Sequence, residues 1–145
     1  MSASVQIWCD GSYRPEHGTI GVGWVHSARG QTQEEFRTLS KINDPHGSDI
    51  AEYTAFARAL EGVPDGARVH VHMDCQNVVQ TLNTGTLPRK QKALPAVVSA
   101  FDTAVNAKKR MAAILITYTS DRNPNMGRAH TLSRQASTPP KASRP

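Results

Sequence analysis

ARVHVHMD, residues 67–74, alternates without a break: Val69, Val71 and Met73 fall on one face of a strand, Arg68, His70, His72 and Asp74 on the other. The stretch just before it, SDIAEYTAFARAL (48–60), has a different period. Ile50, Tyr53, Ala57 and Leu60 recur at helical spacing, Phe56 widens the stripe, and Ser48 or Asp49 stands where an N-cap belongs. Pro64, Asp65 and Gly66 form the turn between the two. A strand reached through a helix pairs parallel with an earlier strand, so this segment commits the chain to a sheet with crossovers.

Outward from that point the other elements follow. Upstream, residues 5–10 place Val5, Ile7 and Cys9 opposite Gln6, Trp8 and Asp10. Residues 20–27 and 32–39, the latter carrying Phe36 and Leu39, read as two more strands, and the short connections make the three an antiparallel meander. Downstream, a short helix over Asn77–Leu82 stops near Gly85. A longer one over 95–108 has Val98, Phe101 and Val105 on its buried side, and AAILITYT (112–119) reads as a core strand. The loop SDRNPN leads to a final helix over about 126–136, with Asn123 as N-cap and Pro124 in the first position, where proline is tolerated. The order β-β-β-α-β-α-α-β-α is an α/β fold: a mixed five-stranded sheet with helices packed on it. We read residues 1–136 as one domain and 137–145, STPPKASRP, as a loose tail.

Composition bounds the function. The 145 residues suffice for one domain, and 38% hydrophobic with 20% charged residues is ordinary for a globular chain. A net charge of +5 favours polyanionic partners without specifying one. Two cysteines, Cys9 and Cys75, make neither a disulfide framework nor a zinc site. With no signal segment and no membrane-length apolar run, the expected setting is the cytoplasm, away from membranes.

Two strands here end on an acid, Asp10 and Asp74, at the position where ligands gather in open α/β sheets. Glu52, early in the first long helix, completes a possible cluster of three carboxylates. Such a cluster repels itself unless it takes up a proton or a cation, and hard oxygen donors with open positions suit Mg²⁺ or Mn²⁺. Two such ions about 4 Å apart can activate a water and stabilise the leaving oxygen of a phosphodiester. The plainer readings are a turn residue for Asp10, a cap for Asp74 and a capping box from Asp49 to Glu52.

CDGS (9–12), IAEYTAFARAL (50–60), MDCQNV (73–78) and RAHTLSRQA (128–136) together resemble, in order and spacing, the signature segments of type 1 ribonuclease H. The resemblance spans nearly all of residues 5–136. It implies the ribonuclease H-like fold and cleavage of the RNA strand of an RNA–DNA hybrid by two divalent ions, leaving a 3′-hydroxyl and a 5′-phosphate. It also implies that Asp10 bridges both metals and that Glu52 and Asp74 hold one of them. Gln76 and Ser48 then fall where the family contacts nucleic acid, and Ser12, Arg89 and Lys90 are further contact candidates, the last two within PRKQK (88–92). A monomer is expected.

The departures are specific to this chain. Where the family has its fourth aspartate ligand, this sequence has His130. Imidazole suits Mn²⁺ better than Mg²⁺, so weaker Mg²⁺-supported turnover is expected. The family's loop histidine is missing, with Asp121 near its place as a possible assistant. The basic handle insertion is shortened or absent. The competing class is a weak or inactive hybrid-binding protein on the same fold, and a third is another nuclease of that fold, such as a resolvase.

Overall fold

The structure, a computed structural model, describes residues 4–39 and 42–138. Its elements are β1 (Val5–Arg14), β2 (Thr19–Ala28), β3 (Gln31–Leu39), α1 (Gly47–Glu61), β4 (Arg68–Met73), α2 (Gln76–Thr84), a 3₁₀ turn at Arg89–Gln91, α3 (Pro95–Lys109), β5 (Ala113–Tyr118) and α4 (Pro124–Ser137). The sheet order is β3-β2-β1-β4-β5. β1 pairs antiparallel with β2 on one side and parallel with β4 on the other, and β5 extends the parallel half. This is the mixed ribonuclease H-like sheet the sequence led us to expect.

β1 is longer than expected, and the excess matters. Its parallel ladder with β4 stops at Trp8↔His72, while its antiparallel ladder with β2 runs on to Arg14↔Thr19. Asp10 therefore does not end a strand. It sits inside β1, just past the last parallel pair, where the sheet opens because β4 has given way to Asp74.

One face of the sheet carries α1, with α3 stacked on it and α2 against β5. Ile7, Val22, Val71, Met73, Tyr53, Phe56 and Leu60 form the main core there. The other face carries α4, which packs on β1, β2 and β3 over Val25, Met126, Ala129 and Leu132, with Trp8 alongside. Two glycines of IGVGWV explain how closely α4 lies. A Cβ at Gly21 would strike the Ser133 carbonyl and the Ser137 amide, and one at Gly23 would strike Leu132 and the Ser133 amide.

Several expectations are corrected. α1 is preceded by His46 with no side-chain cap. Asp49 turns outward to accept from Gln91 Nε2 at 2.7 Å, so neither it nor the exposed Ser48 caps the helix. α3 buries Val97, Phe101 and Ala104 most fully, with Val98 and Val105 half-buried against the same core, so the buried face is wider than the expected stripe. β5 is an edge strand with Leu115 and Tyr118 exposed, not a core strand. The final helix begins as expected, Asn123 Oδ1 accepting from the Asn125 and Met126 amides, but it runs through Ser137; the rest of the expected tail, 139–145, lies outside the described residues. Among the described residues no helix is long and apolar enough to cross a membrane.

Candidate active site

The antiparallel ladder carries Asp10 beyond the end of β4, and the turn from β4 into α2 brings Asp74 beside it. α4 crosses the same opening and contributes His130. Asp10, Asp74 and His130 each offer a ligand atom, and these atoms all lie within 4.8 Å of one another. Glu52 approaches from the opposite face. There α1 lies so close to β1 that a Cβ at Gly11 would collide with the Ala51 carbonyl, and this contact lets the Gly11 amide donate to Glu52 Oε1. Glu52 thus faces the same strand but stands outside the tight group. The bond to Gly11 also replaces the capping-box role considered for it.

Asp10 is almost fully buried, and its Oδ2 accepts two bonds from α4: Ser133 Oγ at 2.6 Å and His130 Nδ1 at 3.1 Å. Burial, then the negative charge of Asp10, push the Asp74 carboxyl up to about 7, with Asp121 adding to the rise. Burial and Asp10 likewise hold the Glu52 carboxyl well above the usual carboxylate range, against the opposing pull of the Gly11 amide. A buried acid cluster that tends to take up protons is one a divalent cation would relieve. The donor set, hard carboxylate oxygens with one imidazole, fits Mg²⁺ or Mn²⁺.

The remaining candidates spread around this centre. Gln76, Ser48, Arg89 and Lys90 are exposed: Gln76 opens α2 next to Asp74, Ser48 opens α1, and the two basic residues lie on the 3₁₀ turn. That turn is pinned to α1 by the Gln91–Asp49 bond and flanks a cavity of about 360 Å³ between α1 and α2, with Asn77 and Tyr53 in its wall. Asp121 is exposed and close enough to raise the Asp74 carboxyl. Ser12 is engaged elsewhere, its hydroxyl 2.7 Å from that of Ser137. Tyr13 ties down the entrance to α1, donating to the Ile42 carbonyl at 3.2 Å. His70 and His72 are not ligands of this cluster; they form cross-strand bonds with Thr117, Thr119 and Gln6. Sequence reasoning missed Ser133, since a serine within a helix carries no signal of a partner 123 residues away.

A mixed sheet of this order, with acids gathered where its parallel and antiparallel ladders part, is of the ribonuclease H-like class. The RNase H family profile matches residues 2–118, most of the chain, and the chain belongs to the ribonuclease H family. Three solved structures share its fold, each with a TM-score of 0.73. The N-terminal RNase H domain of Rv2228c from Mycobacterium tuberculosis is 20% identical, over 93% of this chain and 94% of that one. RNase H1 from the halophilic archaeon Halobacterium salinarum is 24% identical, over 92% and 96%. LC11-RNase H1, solved in complex with an RNA/DNA hybrid, is 23% identical, over 92% and 96%. No curated protein sequence matches the chain.

Proposed function

We propose that this protein is an endonuclease that hydrolyses the RNA strand of RNA–DNA hybrids with two divalent ions, Mg²⁺ or Mn²⁺, leaving a 3′-hydroxyl and a 5′-phosphate. The observation that carries the reading is the convergence of Asp10, Asp74 and His130 within 4.8 Å, with Glu52 facing the same strand, in a chain of this family. The hybrid bound to LC11-RNase H1 supports the choice of substrate.

Asp10, at the centre, would touch both ions, with Glu52 and Asp74 on one and His130 on the other. Bound there, the ions would supply Lewis-acid charge that eases deprotonation of a water and stabilises the leaving oxygen. The chain's own part is to hold the carboxylates at a fixed spacing and to position the duplex. Ser48 and Gln76, at the starts of α1 and α2, would face the shallow groove where 2′-hydroxyls mark the RNA strand. Arg89 and Lys90 would take backbone phosphates, and Asp121 would assist at the rim. The protein would work as a monomer in the cytoplasm.

The test is incubation with labelled RNA–DNA hybrid in Mg²⁺ and, separately, in Mn²⁺, with Asp10→Asn as control. RNA-strand cleavage that depends on Asp10 supports the enzyme, and an excess in Mn²⁺ points to His130 as ligand. Binding without cleavage in either metal would make the protein a hybrid binder instead.

A further inference from the structure

We propose that Ser133 is a positioning residue for Asp10: it fixes one carboxylate oxygen so that the other is presented to the metal. The inference rests on the metal-dependent reading above. Ser133 has no exposed surface, and its Oγ lies 2.6 Å from Asp10 Oδ2 and 2.9 Å from the carbonyl of His130. A hydroxyl carries one hydrogen, and the shorter contact, to the Asp10 side-chain oxygen, takes it. The bond to the helix's own carbonyl is the ordinary habit of a helical serine, and here it is the loser.

The geometry makes this bond more than incidental. His130 Nδ1 donates to the same Oδ2 at 3.1 Å. If His130 coordinates a cation through that nitrogen, it must first release Asp10. Ser133 then remains the side-chain donor on Oδ2, and Asp10 keeps its orientation whichever way the imidazole turns. The backbone is built to permit it, because Gly21 and Gly23 leave the space that lets the Ser133 peptide lie against β2 opposite Asp10. Partners that orient a metal ligand without touching the metal typically contribute about 10–100-fold to metal affinity.

The experiment titrates Mn²⁺ alone into the full chain, without nucleic acid, and reads the dissociation constant by electron paramagnetic resonance. Ser133→Ala should weaken Mn²⁺ by about tenfold, and Ser133→Cys, a poorer donor of nearly the same shape, by less. Ser137→Ala is the control: it removes an equally buried serine from the same helix, one that bonds Ser12 instead of Asp10, and should leave the Mn²⁺ constant unchanged. Cleavage by Ser133→Ala should recover as metal is raised, with the KM for hybrid unmoved. A Mn²⁺ constant within about twofold of wild type in a folded Ser133→Ala chain would overturn the proposal, as would equal weakening by Ser137→Ala. If the wild type binds Mn²⁺ in a Ser133-dependent way yet cuts no hybrid, the positioning role stands and the nuclease reading fails.

Discussion

At the scale of single residues, the site turns on what each donor can and cannot do. Asp10→Asn keeps the shape and removes the charge. Hybrid cleavage should fall by more than about a hundredfold, since a ligand outweighs the partners that orient it, while a filter-binding assay finds hybrid affinity unchanged or higher. His130→Asp restores an oxygen donor. If His130 is a ligand, kcat/KM in Mg²⁺ should rise by about tenfold, ~1.4 kcal/mol of barrier, and the Mn²⁺ to Mg²⁺ activity ratio should fall; no change in either would remove His130 from the metal shell. Asp10 and Asp74 were legible because an acid closing an apolar alternation is expensive unless something positive meets it. His130 was legible only through its resemblance to a motif. Ser133 was not legible at all: its partner lies on β1, and the glycines that admit it lie on β2.

At the scale of elements, the basic loop after α2 is anchored by Leu87 in the core and tied to α1 by a side-chain bond. Gln91 Nε2 donates to Asp49 Oδ2, tying the 3₁₀ turn that carries Arg89 and Lys90 to the first turn of α1. Gln91→Ala should loosen that turn and raise the KM for hybrid several-fold with kcat nearly constant, measured in steady state at saturating metal. Arg89→Ala and Lys90→Ala should each lower the slope of log affinity against log salt by about 1 if they contact phosphate. The same contact explains why the start of α1 was misread: capping preferences treat Asp49 as a local acceptor, but a partner 42 residues away claims it. Periodicity gave the helix over 95–108 and a core-facing stripe of Val98, Phe101 and Val105, but not Val97 and Ala104, which the structure buries more fully. It gave β5 as a core strand because Ala, Ile and Leu read alike whether a strand is central or at the edge.

At the scale of the whole molecule, two titrations pull stability in opposite directions when no metal is bound. Burial and neighbouring His70 lower the His72 imidazole to about 4, so the unfolded chain takes up that proton first. Stability from His72 is complete above about 6.5 and is lost as pH falls from there toward 4. Asp74, raised to about 7, does the reverse: the folded chain holds the extra proton, and stability is gained as pH falls from about 7 toward 4. In chelator, Asp74→Asn should therefore stabilise the protein at pH 8 by about 1 kcal/mol, a value discounted for the half-open site, or about 2–4 °C in Tm. The gain should shrink steadily on acidification, and thermal melts from pH 4 to 8 would show it. The close seating of α4 on the Gly21 and Gly23 side of β2 has a consequence for redesign. Because backbone meets backbone there, the helix has little room to slide or tilt when a side chain on its inner edge is exchanged. Position 130 therefore behaves like a socket: aspartate, glutamate, asparagine or cysteine placed in it would be offered to the ion from nearly the same origin, and a small panel of such exchanges would compare metal preference by donor chemistry with the scaffold held constant.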